Sequence, residues 1–414
     1  MVDRSSGVAG RRASRVASRF SIVSSIVALI ACGSSQTAGP AVPAQPTPTQ
    51  PAPAAAQPTP APAAAVTGDP APPVASPAPP APSEPPTPAA TPRPVLKGLD
   101  VYGTTRVDVA WVKDHLGDKI DRLVATDDEA EDKQLKTEIT DAIRAQYKDL
   151  GWVEISGITY FKPEGMQAYI TIDVVEKRDL KARQTFRAPP RGDLEDPAGL
   201  IAAWKEYQAL FFTMLRAKQV TPARVECPAF HCIGGYEHEK FKPFGERFVR
   251  DVPPNEAKLI RVLREDKDDE DRAAAAFLLA HIHDGKKLVA LMLSALDDPG
   301  PTTRNNATRV LSDISRYHPE LAIPLPPILH LLDGPTTTDR NKAVAVLSGL
   351  VARPDGAKLH RQVIQQAGPT LIKLLALEQP NNHDFAYQIL KAVSGQDFGE
   401  RDIAAWQQWL RAQH

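Results

Sequence analysis

Cysteine is scarce in this chain of 414 residues: there are three, at positions 32, 227 and 232. The only two close in sequence have four residues between them and no second pair, which excludes the paired-ligand spacing of zinc ribbons. Charge of one sign is not in excess either. Lys and Arg total 49 against 50 Asp and Glu, so no strong pull toward nucleic acid or anionic lipid is expected. Long apolar runs are missing: the stretch from Phe20 to Ala31 falls well short of the roughly 20 residues a membrane-crossing helix needs. A glycine-rich phosphate cradle, an HExxH run and a nucleophile elbow are all absent. No cofactor is therefore expected, and the chain reads as non-catalytic.

What is there begins with targeting. Five arginines (Arg4, Arg11, Arg12, Arg15 and Arg19) precede the apolar run, which closes on Leu29-Ile30-Ala31-Cys32. That is a secretory signal with a thiol at its cleavage point. The layout of basic start, apolar middle, small residue, cysteine and polar tail resembles the lipobox of bacterial lipoproteins. The resemblance implies cleavage of residues 1–31 and acylation of Cys32, with two or three chains at ~0.8 kcal/mol per buried methylene holding the protein to the lipid bilayer. Gly33, rather than aspartate, follows the cysteine and implies an outer membrane site facing the periplasm. Arg11-Arg12 lacks the bulky apolar residues of a twin-arginine signal. Removing 1–31 takes away five arginines and Asp3, leaving 44 basic against 49 acidic residues.

Residues 32–94 are almost only Pro, Ala, Thr, Gln and Ser after the cysteine, as in PTPTQPAPAAAQPTPAPAAA. Such a composition cannot build a core, and its prolines favour polyproline II. A stiff, disordered tether is expected, one that holds the folded part away from the bilayer.

Residues 95–179 change character. Leu96, Leu99 and Val101 mark a short strand ending at Tyr102-Gly103, and Val109, Val112 and Leu116 a helix closed by Gly117. Leu135, Ile139, Ile143, Tyr147 and Leu150 form the face of a second helix after an acidic start at Asp127, Asp128 and Glu129, with Gly151 as its stop. Trp152–Phe161 and Ala168–Val175 alternate about Lys162-Pro163-Glu164-Gly165, a hairpin. This β-α-α-β-β order resembles a POTRA module, which implies a periplasmic setting and a sheet edge that pairs with extended peptides. A small α+β domain that only supports its neighbours is the alternative.

Residues 180–252 read as a helical connector. Pro197 opens a helix whose Leu200, Ile201, Trp204, Tyr207, Phe211, Met214 and Leu215 form one apolar face, a core stripe. Cys227 and Cys232 are expected to form a disulfide. A zinc site drawing on His231, Cys232 and His238, with Glu237 and Glu239 nearby, is the alternative, and with it a metal-dependent enzyme.

Residues 253–414 repeat. DRAAAAFLLAHI (271–282), TRNNATRVLSDI (303–314) and DRNKAVAVLSGL (339–350) align without gaps, and HDFAYQILKAV (383–393) is a degenerate fourth copy. Each is flanked by another amphipathic helix, and prolines and glycines at 299–301, 334–335, 353–354 and 379–380 separate the units. The arrangement resembles HEAT repeats, which implies a curved all-α solenoid that binds macromolecules. Arg304, Asn305, Arg340, Asn341 and Lys342 are the candidate binding surface, and Trp406 and Trp409 a terminal cap. The expected fold is thus α+β: a tether, a small β-α-α-β-β domain and an all-α solenoid. The expected role is a lipid-anchored envelope scaffold that binds envelope proteins or extended peptides and no nucleic acid. An adaptor to the cell wall is the structural alternative.

Overall fold

Strand β1 (Val95–Tyr102) leads through a turn to helix α1 (Val109–Ala125) and helix α2 (Glu129–Gln146), then to the hairpin of β2 (Leu150–Lys162) and β3 (Gly165–Glu176). The computed structural model describes residues 93–162, 164–220 and 227–413. The signal, Cys32 and the spacer up to residue 92 lie outside the described residues. The β-α-α-β-β order matches the sequence reading, but α2 stops at Gln146, short of Gly151, because the chain turns at Asp149 with φ +64° and Leu150 already opens β2. The sheet order is β1-β3-β2, with β1 parallel and β2 antiparallel to β3.

Local chemistry starts both helices. Asp108 and Asp128 accept the amides of Ala110 and Glu131 at 2.9 and 2.7 Å, which satisfies donors that the first turn leaves open. Gly117 does not end α1 as expected. Val112, Leu116, Ile120 and Leu123 form one buried stripe running past it, and that burial outweighs the roughly 1 kcal/mol a helical glycine costs. Gly103 does turn the chain, with φ +95°, and a Cβ there would run into the Val174 carbonyl.

Strand alternation divides the sheet into two unlike faces. Leu99, Val153, Ile155, Ile170, Ile172 and Val174 pack on α1 and α2. The opposite face carries Asp100, Tyr102, Ser156, Tyr160, Thr171 and Asp173, and these are buried as well. A polar face can be buried only if something pairs with it.

Helices supply the partner. After α3 (Leu180–Arg183) come α4 (Leu200–Arg216), α5 (Lys242–Glu265), α6 (Asp269–Leu278), α7 (Gly285–Ser294), α8 (Pro301–Tyr317) and α9 (Leu325–Leu332). The row continues with α10 (Thr337–Val351), α11 (Ala357–Leu375), α12 (Pro380–Ser394) and α13 (Ile403–Arg411). Helices α6, α8, α10 and α12 pack in sequence, and one apolar core runs from Leu200 to Leu410. All the described residues belong to one compact unit. The aromatic stripe of α4 is core, with Trp204 and Tyr207 packed on Phe248. Trp406 is fully buried against Phe398, Tyr387 and Trp409.

The boundary read between Val252 and Pro253 falls inside α5. Pro253 and Pro254 lie within the helix and forfeit the bonds to the carbonyls of Val249 and Arg250. Phe248 and Val252 before them, and Leu259, Val262 and Leu263 after, are all buried in the same core. That shared burial carries the helix through. Gln379-Pro380 behaves as expected and opens α12.

Candidate binding cleft

Three arginines hold the same position, the fourth residue of α6, α8 and α10: Arg272, Arg304 and Arg340. All are buried. Each turns Nη1 onto a carbonyl six residues back, those of Asp266, Asp298 and Gly334, at 2.9, 2.8 and 3.3 Å. Each then meets a carboxylate buried outside its own helix. Arg272 binds Asp298 at 2.7 Å, Arg304 binds Asp339 at 2.8 and 2.9 Å, and Arg340 binds Asp173. The first two carboxylates come from the next repeat, whereas the third comes from β3. The sheet takes the place of a repeat.

Other contacts make the same junction. Asp173 accepts the Thr337 amide at 2.6 Å, and Asp100 accepts those of Glu378 and Gln379 at 2.9 to 3.0 Å. The Tyr160 hydroxyl accepts from the Asn381 amide at 3.2 Å. The N-termini of α10 and α12 thus end on carboxylates, the charge their dipoles favour. Aromatic faces cover two of the guanidinium groups, with Tyr102 3.7 Å from Arg340 and Phe186 3.8 Å from Arg304.

The connector after α3 lies along the array as a strap. Arg183, the last residue of α3, donates to the carbonyls of Asp333 and Gly334 at 3.2 and 3.1 Å, and beyond it the Arg187 amide donates to Asp297 at 2.8 Å. Further on, Gly192 donates to Glu265, and Lys267 to Gly192. Between β1, this strap and the C-terminal ends of α7, α9 and α11 is a cleft of about 1110 Å³. Its array wall includes Leu296, Pro327, Leu331 and Leu377, and its sheet wall is β1 from Leu99 to Tyr102. β1 is an edge strand that pairs with β3 alone, and its outer edge makes no backbone hydrogen bond among the described residues.

One carboxyl at the junction is strained electrostatically. Glu154 stands across from Asp173 in the β2–β3 register. Burial raises it to about 7, helped by the charges of Asp173 and Asp339 and opposed by those of Arg304 and Lys136. An acid raised in this way holds its proton more tightly folded than unfolded. Its contribution to stability is complete below about 4.5, declines as the pH rises through about 7 and is flat above. Glu154→Gln should therefore unfold at higher denaturant than the parent at pH 8, by about 1–2 kcal/mol after solvent screening. The gain should vanish near pH 4.5, and an equal gain at both pH values would remove ionisation as the cause.

The candidate surface residues have separate fates. Arg304 and Arg340 are closed inside the ladder and cannot line an open surface, because Asp339, Asp173 and the two rings enclose them. Asn341 is 2% exposed, while Asn305 and Lys342 are half-buried. Cys227 and Cys232 form a disulfide with Cα atoms 5.8 Å apart. His231 stacks on Phe277 and its Nδ1 lies 2.8 Å from Asp313, whereas His238 accepts the Lys240 amide at 3.2 Å. The zinc alternative on His231, Cys232 and His238 thus loses its sulfur to the disulfide and its two imidazoles to different partners. No group of three potential metal ligands occurs among the described residues. Cys32 lies outside them.

Sequence reasoning missed Asp100, Asp173, Tyr160 and Phe186, the groups that join sheet to array. A signal was there: the polar positions of β1 and β3 on that face, Asp100, Thr171 and Asp173, include no lysine or arginine.

Residues 256–348 match the family model for HEAT repeats. The match spans the second half of α5 through most of α10 and includes all three arginines of the ladder. No curated protein and no solved structure matches the chain. HEAT repeats mediate protein interaction or scaffolding, and the ladder gives the stacking here a physical basis: buried ion pairs tie α6 to the segment before α8 and α8 to α10, and a third ties α10 to the sheet.

Proposed function

We propose that this chain is a non-catalytic envelope lipoprotein, anchored through Cys32, whose sheet and HEAT array together hold an extended segment of a partner protein. The observation that carries the reading is the free edge of β1 along the cleft. An added strand would find backbone donors and acceptors on one side and, on the other, the apolar side chains of Leu296, Leu331 and Leu377 at the ends of α7, α9 and α11, which supplies affinity with little demand on sequence. The β-α-α-β-β order and its likeness to a POTRA module support an envelope setting. The lipobox-like Leu29-Ile30-Ala31-Cys32 supports the anchor. The cell-wall adaptor reading has no comparable feature behind it.

A photo-crosslinking residue at Thr104, at the mouth of the cleft, tests this in intact cells. Adducts of defined mass are expected there and not from Lys113 on the exposed side of α1. Ala376, exposed at the rim, gives a second arm. Ala376→Trp should fill the cleft, abolish the adducts and leave the unfolding midpoint within about 0.5 kcal/mol of the parent. Adducts that persist unchanged in Ala376→Trp would place the partner elsewhere.

A further inference from the structure

A second surface lies on the seam between α8 and α10, away from the cleft. Lys342 sits two residues after Arg340, the register that Asn306 holds after Arg304. Asn306 closes its seam by donating to the Ala273 carbonyl on α6 at 3.0 Å. Lys342 makes no hydrogen bond and no ion pair among the described residues. It is half-buried beside Arg309 and Arg316 of α8, whose charges act on it. Neither guanidinium is ion-paired among the described residues. Arg309 lies 5.7 Å from the Phe277 ring centroid and Arg316 5.2 Å from that of Phe385. Asp313 also acts on Arg309, but its Oδ2 is engaged by His231.

Two amides point the same way. Asn305 precedes Arg309 by one turn, on the same side of α8, and its buried Oδ1 has no partner. Asn341, beside Lys342, is 2% exposed with neither amide atom hydrogen-bonded. A lysine on which two guanidinium charges act, beside unsatisfied amides, raises the energy of the free protein. Burial and the two neighbouring guanidiniums lower Lys342 to about 7, the same crowding expressed as proton affinity. A carboxylate would accept from the cations and from Nδ2 of Asn341, whereas the two Oδ1 atoms call for a donor, such as a backbone N–H of the same segment.

We infer that the α8–α10 seam is an interaction surface for an acidic segment of a partner protein, bound through Arg309, Lys342 and Arg316. The inference rests on the protein-interaction reading above but on a different face. A protein carboxylate suits it better than a polyanion, because the patch is small and the chain as a whole carries a formal charge of −1, with no basic stripe for a phosphate backbone to follow.

The test is titration of the purified full chain with fluorescein-labelled hexaglutamate, and with hexaglutamine as the uncharged control. Binding of hexaglutamate alone is expected, with affinity reduced about three- to tenfold in Arg316→Ala and in Lys342→Met. Lys342→Met should at the same time raise the thermal midpoint, because it removes a crowded charge and keeps the stem. Loss of binding with a gain in stability separates loss of the site from loss of the fold. Unchanged binding in Lys342→Met would overturn the proposal. So would loss of binding in Ala376→Trp, which would move the acidic segment into the cleft, or tighter binding of a single-stranded oligonucleotide that depends on the same residues. Retained hexaglutamate binding in Ala376→Trp supports the seam even where cleft crosslinking fails.

Discussion

Asp173→Ala is expected to lower the stability of the folded chain by about 3–5 kcal/mol, the largest effect of any single substitution considered. The reason is the partner left behind. Arg340 is fully buried, and removal of Asp173 strips it of its carboxylate while the Thr337 amide also loses its acceptor. Breaking a buried pair from one side costs this much because an uncompensated charge stays in the interior. The double change Asp173→Ala with Arg340→Met should recover much of the loss, since a matched apolar pair at such a site is often neutral or better. Chemical denaturation of the four proteins closes the cycle. A double variant no more stable than Asp173→Ala would mean that Asp173 acts mainly through the helix end and not through the arginine.

Cys32→Ser should shift the protein almost completely from the membrane fraction to the soluble one. Acyl chains at ~0.8 kcal/mol per buried methylene supply all of the proposed attachment. No helix among the described residues is long and apolar enough to cross a membrane, so none of them offers a helical substitute. Mass spectrometry of the parent should find an acylated N-terminus at Cys32. A variant recovered with membranes as fully as the parent would dismiss the anchor without touching the account of the cleft.

Much of the architecture is legible in the chain. Strand alternation, the acidic helix start at Asp128, and the gapless repeat of Arg272, Arg304 and Arg340 fix the element order and the repeat register, because these are local patterns. The disulfide between Cys227 and Cys232 is legible for the same reason. The environment of the arginines is not. An arginine at a helix start reads as solvated, and its burial depends here on a carboxylate 167 residues away, a distance at which no local pattern operates. The sheet misleads in the same way: a polar face suggests water, and its true neighbour is a pair of helix N-termini. Breakers mislead where burial overrides them, as at Gly117 in α1 and at Pro253-Pro254 in α5. The cleft belongs to this class too, since it exists only once β1, the strap and three helix ends are brought together.

The position of β1 has a mechanical consequence. The chain enters the described fold at Val95 and runs along β3 in parallel, so a pull from the N-terminal side loads their hydrogen bonds together in shear and does not peel them one at a time. Asp100, in the second half of that strand, hands the strain to the start of α12, and its neighbour β3 hands it to α10. A body seized from a leash at that point would transmit the tug into its stacked helices before any strand came loose.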